Sequence, residues 1–200
     1  MQIINSDALS ALKSRPDKCC SMCVTSPPYY GLRDYGADGQ IGLEDTPDRY
    51  IENLVQIFRE VRRVLKDDGT LWVNIGDSYA ASGKGRNRDG VFNEKAMNLQ
   101  NFGQKKSQIR RTIEGHGLKR KDLIGIPWLL AFSLRADGWY LRADIIWQKP
   151  NAMPESVKDR PTRAHEYIFL LSKNARYYYD AEAVKEPAVG SVSYTHLRAH

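Results

Sequence analysis

A chain of 200 residues and 22.8 kDa has room for one domain with a substantial core and is short for two. Its 42% hydrophobic and 10% aromatic content fits a soluble globular protein, no apolar run approaches the roughly 20 residues of a membrane span, and the start "MQIINSDALSALK" lacks the features of a secretory signal. These exclude a membrane protein and make a cytoplasmic location the expectation. The net charge of +6 is unevenly placed: residues 83–121 hold eleven Lys or Arg against three acids, while the rest holds 19 against 21. That segment is rich in Gly, Asn, Gln and Ser and poor in periodic apolar residues, so it reads as a basic loop suited to phosphates.

In chain order, "MQIIN" is a short strand candidate, a helical stretch follows around Asp7 to Leu12, and "CCSMCVT" is a strand. Its cysteines, Cys19, Cys20 and Cys23, have neither a second ligand pair nor a helix opening at the C-x-x-C. They read as small apolar residues on a buried strand of a reduced protein. In "DTPDRYIENLVQIFREVRRVLKDDG", Thr46 fits an N-cap and Pro47 the first helical position. Tyr50, Leu54, Ile57, Phe58, Val61 and Leu65 form one apolar stripe, and Asp67, Asp68 and Gly69 are the expected stop. "TLWVNI" is a nearly continuous apolar run, the pattern of a strand buried on both faces. After the basic loop, "KDLIGIPWLLAFSLRADG" reads as a helix with a kink or late start at Pro127. "WYLRADIIWQK" and "EYIFLLS" read as strands and "ARYYYD" as a third, shorter one. The alternation predicts an α/β fold with a largely parallel sheet, in which ligands bind beyond the carboxyl ends of strands. Residues 25–30 lie at one such end, and Gly76 and Asp77 at the next.

The turn "TSPPY" at 25–29 carries the chemistry. Two prolines cannot continue a sheet ladder and supply no N–H, so the turn presents acceptors and an aromatic face. Ser26 offers a hydroxyl, the carbonyls around Pro27 and Pro28 are held by fixed φ, and Tyr29 offers a flat ring. A planar ligand with an amino group suits this set, and an amino-bearing nucleobase is one. A base reaches a strand-end pocket only if flipped from its duplex, and a basic loop is the expected companion.

These residues resemble the amino-group DNA methyltransferases, whose signature is Asp, Asn or Ser followed by Pro-Pro and an aromatic. "IGLEDTPDRYIENLVQIFREVRRVLKDDGTLWVNIGDSY" and "DIIWQKPNAMPESVKDRPTRAHEYIFLLSK" are similar to later segments of the permuted, beta-type group, so the resemblance covers residues 1–187. It implies a Rossmann-like, mostly parallel, seven-stranded methyltransferase fold. It also implies S-adenosylmethionine as cofactor, double-stranded DNA as substrate and a possible restriction endonuclease counterpart in a bacterial or phage system. Ser26, Pro27, Pro28 and Tyr29 would hold the target amine. Asp7, Thr25 and Asp77 are assigned to the cofactor side, although Asp77 equally suits capping of the turn that follows it. Tyr30, Trp147, Lys149, Pro150 and Asn151 are assigned to the base pocket, and Lys84, Arg86, Arg88, Arg110 and Arg111 to DNA. The serine variant is more often associated with N4 of cytosine and the aspartate variant with N6 of adenine.

The permuted group carries a Phe-x-Gly-x-Gly cofactor motif near its C-terminus, which this sequence lacks; "GKGRNRDG" follows no strand-to-helix pattern. The expected domain is therefore a catalytic unit over residues 1–190 that holds the target-base half of a site and is incomplete on the cofactor side. "SVSYTHLRAH" at 191–200 reads as a non-native tail. His165 and Glu166 lack H-E-x-x-H spacing, and no metal is expected. An N6-adenine enzyme, an inactive nucleic-acid binding fragment, and a methyltransferase of RNA or a protein amide stay open as alternatives.

Overall fold

The computed structural model describes residues 3–80, 117–119, 121–152 and 154–185. Three helices and four strands follow in the order α1 (Ala8–Lys13), β1 (Cys20–Thr25), α2 (Pro47–Val64), β2 (Leu65–Ile75), α3 (Ile126–Ala136), β3 (Tyr140–Gln148) and β4 (His165–Ser172). None of the described helices is long and apolar enough to cross a membrane.

The helix starts read at Thr46 and Pro127 hold, and α1 has a cap that the sequence reading did not name. Asp7 caps α1 by accepting from the Ser10 amide at 2.9 Å. Thr46 caps α2 through the Arg49 amide at 3.1 Å, with Pro47 in the first turn. Pro127 marks a late start: it lies in the first turn of α3, after Gly125 in the left-handed region at φ +82°. The helix α2 stops at Val64, earlier than the Asp-Asp-Gly signal. Leu65 is fully buried and turns extended to pair with Cys20, so β2 begins without a loop.

The sheet order is β1-β2-β4-β3. Only β1 and β2 run parallel; β2–β4 and β4–β3 are antiparallel, so the described sheet is mixed where a mostly parallel one was expected. The reason is local: β3 and β4 follow each other through a 16-residue connection with no helix, which supports an antiparallel pair and not a crossover. One face of the sheet forms the core. Leu71, Val73 and Ile75 of β2 with Phe169 and Leu171 of β4 pack with the stripes of α2 and α3. On β1, Met22 and Val24 are 57% and 69% exposed, where a buried strand was expected, because β1 lies at the edge of the described sheet. Burial still pushes the Cys23 thiol up to about 11.

Among the described residues two expected strands are not formed. Residues 3–5 are irregular, and residues 175–180 cross the start of β2, with the Tyr178 amide donating to the Asp68 carbonyl at 3.1 Å instead of extending the sheet. The tail at 191–200 and nearly all of the basic loop lie outside the described residues.

Candidate active site

The carboxyl ends of β1 and β2 lie side by side, because Thr25 pairs with Val73. Beyond β1 the TSPPY turn opens a cleft of about 300 Å³, lined by residues 26–29 and by Leu32, Arg33 and Tyr35.

Asn74, on β2, organises this end. Its Oδ1 accepts from the Ser26 hydroxyl at 3.4 Å and from the Tyr29 hydroxyl at 3.0 Å, while its amide donates to the Tyr167 carbonyl at 3.3 Å. With its one hydrogen directed at Asn74, Ser26 keeps oxygen lone pairs for a ligand. The Tyr29 hydroxyl hydrogen lies between two acceptors, Asn74 Oδ1 and Glu166 Oε2, the latter at 2.9 Å. Burial, with the Glu166 carboxylate beside it, pushes the Tyr29 phenol up to about 12, so it remains a neutral donor. Glu166 also binds Lys149. Burial works to raise the Glu166 carboxyl, but Lys149 and Tyr29 outweigh it and hold it below the usual range.

The ring of Tyr29 lies flush against β2. A Cβ at Gly76 would sit 2.4 Å from Tyr29 Cε2 and 2.7 Å from Cδ2, so only glycine admits the ring there. Below the turn, the buried Tyr50 hydroxyl donates to the Pro28 carbonyl at 2.7 Å. Tyr50 is fully buried and fixes the prolines from the core side.

The expected site residues therefore divide. Ser26, Pro27, Pro28 and Tyr29 come together with Thr25 at the strand end, as read. Tyr30 points the other way: at 1% exposure it packs on Tyr50 at 5.4 Å between ring centroids, a core residue and not a base contact. Asp77 is spent on α3, accepting from the amides of Gly125 at 3.0 Å and Ile126 at 2.9 Å and of Ser78 at 2.9 Å. Burial raises its carboxyl, against the pull of these amides and of Arg163 at 3.9 Å. Asp7 is exposed and used as a helix cap. Asp7 and Asp77 thus both serve as helix caps, and Thr25 closes β1. Trp147 stands 55% exposed at the end of β3, Pro150 and Asn151 are exposed just after it, and Lys149 is drawn into the Glu166 pair. Lys84, Arg86, Arg88, Arg110 and Arg111 lie outside the described residues.

Asn74 escaped the sequence reading, as did the site roles of Tyr50 and Glu166 and the close packing of Gly76 on Tyr29. Asn74 carried a usable signal as the one amide in the apolar run "TLWVNI". Among the described residues no group of three or more His, Cys, Asp or Glu is placed to hold a metal ion.

Over residues 20–191 the chain matches the family described as DNA methylase (N6_N4_Mtase). It is 56% identical over 188 residues to the Type II methyltransferase M.SmaI of Serratia marcescens, covering 94% of this chain and 61% of that protein. Identity to the Type II methyltransferase M.Cfr9I of Citrobacter freundii is 55% over 185 residues, covering 92% and 58%. The chain thus spans about three-fifths of the length of these relatives. Among solved structures, the PvuII DNA methyltransferase (cytosine-N4-specific) superposes with a TM-score of 0.60 at 17% identity, over 90% of this chain and 51% of that one. That likeness bears out the Rossmann-like methyltransferase architecture, to which the described residues contribute four strands.

Proposed function

The chain belongs to the DNA methylase family, and from that premise we propose that it methylates the exocyclic amino group of a base flipped out of double-stranded DNA, at N4 of cytosine, with S-adenosylmethionine as methyl donor. The observation that carries the reading is the Ser26 hydroxyl, oriented by Asn74 at the wall of a cleft, next to a Tyr29 ring held from behind by Asn74 and Glu166.

The amino nitrogen of a nucleobase is a poor nucleophile because its lone pair is delocalised into the ring. Acceptors aimed at its N–H bonds favour a pyramidal nitrogen with that pair freed. Ser26 Oγ is one such acceptor. The Pro28 carbonyl is already engaged by Tyr50, which leaves the Pro27 carbonyl as the second. Stacking on Tyr29 compensates in part for the stacking lost from the duplex. When bound, S-adenosylmethionine supplies a methyl group on a sulfonium, open to direct displacement. The described residues form the target-base side of the reaction, and no step is assigned to residues on the cofactor side.

The choice of cytosine follows from serine in the first position of the motif. The Type II designation of M.SmaI and M.Cfr9I supports a restriction endonuclease as counterpart in the same system, and DNA as substrate supports a cytoplasmic location. The test compares wild type with Ser26→Ala in the full-length protein. Methyl transfer should fall far more than DNA affinity. Equal losses in both would remove Ser26 from the chemistry and favour a binding module.

A further inference from the structure

The part of the cleft lining that follows the TSPPY turn in sequence belongs to no feature used so far. Leu32, Arg33 and Tyr35 form it, and Leu32 and Tyr35 are 51% and 62% exposed. Long exposed side chains on a loop would ordinarily move freely, yet here the backbone beneath them is clasped. The Gln40 side chain uses both ends of its amide: Oε1 accepts from the Tyr35 amide at 2.6 Å, and Nε2 donates to the Arg33 carbonyl at 2.7 Å. Asp34 accepts from the Gly36 amide at 2.8 Å. At the base of the loop the Gly31 amide donates to the Gly42 carbonyl at 2.6 Å. Gly42 has φ +99°, and a Cβ there would stand 3.0 Å from the Tyr29 carbonyl, so the loop closes directly under the catalytic turn. The lining of the cleft, from Ser26 to Tyr35, is one built unit.

The Arg33 guanidinium is the part of this unit without an internal task. Among the described residues it makes no hydrogen bond or ion pair, whereas Arg59, Arg63 and Arg160 each bind a carboxylate. A cleft of about 300 Å³ is at the small end for ligand sites and takes a single base. The sugar and phosphate of a flipped nucleotide then stay outside it, and Arg33 is the exposed cation of its lining. A planar guanidinium matches a phosphate in two-point contact, and a phosphate is the one anionic group that every flipped nucleotide brings.

We infer that Arg33 binds the backbone phosphate adjoining the flipped nucleotide, with Tyr35 covering the outer side of that nucleotide and the Gln40 clasp holding both residues in place. This rests on the base-flipping reading above.

The test uses the full-length protein and a duplex carrying the methylation site mapped on genomic DNA, in intact form and with a neutral methylphosphonate at each linkage flanking the target nucleotide. Arg33→Gln should weaken binding to the intact duplex about 10- to 100-fold, the range of a charge-assisted hydrogen bond, and lower the slope of log affinity against log salt by about 0.9, one phosphate contact. At one linkage, the methylphosphonate should weaken wild type by a similar factor and leave Arg33→Gln unchanged. Gln40→Ala should show a smaller loss of affinity. Additive effects at every linkage, or wild-type affinity and salt slope in Arg33→Gln, would overturn the inference while base methylation by wild type stands. Absence of methylation by wild type would instead bring down the function on which it rests.

Discussion

Replacing Gly76 with alanine should damage the site through a single steric contact. The new Cβ would lie 2.4 Å from Tyr29 Cε2 and 2.7 Å from Cδ2, whereas non-bonded carbons settle about 3.5–4.0 Å apart. The ring must therefore move by about 1 Å. It cannot tilt freely, since its hydroxyl is held at 3.0 Å by Asn74 and 2.9 Å by Glu166. Overpacking of this kind costs about 1–3 kcal/mol, and disturbing the bond to a carboxylate adds about 1.5–3 kcal/mol. A net loss of about 3 kcal/mol lowers Tm by about 6–12 °C in a domain of this size. A 1 Å misplacement of the stacking ring should also cost about 100-fold in kcat. Thermal unfolding and single-turnover methylation read the two effects separately. In a Tyr29→Ala background the clash is gone, so Gly76→Ala should lower Tm much less there than in wild type. Full activity and unchanged Tm in Gly76→Ala would refute the packing argument.

Asp77→Ala should lower Tm through the loss of about 2 kcal/mol or more, because the first amides of α3 lose their acceptor, with Asp77→Asn milder and KM for S-adenosylmethionine unchanged in both. A higher KM at constant Tm would return Asp77 to the cofactor. Glu166 has a folded pKa below its ordinary value of 4.5, so its contribution to stability is full above that value and is lost as pH falls through the depressed folded pKa. Denaturant titrations should therefore show a stability gap between wild type and Glu166→Gln at pH 7 that closes on acidification below about 4.5; a gap of constant size would exclude the ionised Lys149–Glu166–Tyr29 linkage.

Much of the architecture was legible because local and tertiary demands agree. Thr46, Pro47 and the stripe from Tyr50 to Val61 specify α2 by capping and periodicity alone, and the core buries Tyr50, Leu54, Phe58 and Val61 of that stripe, with Ile51 beside them and Ile57 left half-buried. Leu65 shows the opposite case: as the next apolar residue of that stripe it reads as helical, but pairing with Cys20 takes it into the sheet. The aromatic run at 177–179 has strand propensity, yet that segment bonds across the start of β2. Propensity cannot supply a partner.

The site was legible where the motif is contiguous and obscure where it is assembled across strands. Tyr29 and Tyr30 are identical neighbours, and only the packing shows that one faces the cleft and the other the core. Lys149 and Glu166 stand 17 positions apart, and the register that pairs β3 with β4 brings them together. Asp77 was ambiguous in sequence because a strand-end carboxylate suits a ligand and a helix start equally; in the structure the amides of α3 engage it.

The central claim is methyl transfer to a base amino group, and nucleoside mass spectrometry tests it most directly. Unmethylated DNA is incubated with the full-length protein and S-adenosylmethionine, digested and analysed. The account predicts N4-methylcytosine that disappears when Ser26 is replaced by alanine. N6-methyladenine in its place would contradict the assignment of the base, and absence of any methylated base would contradict the reaction itself.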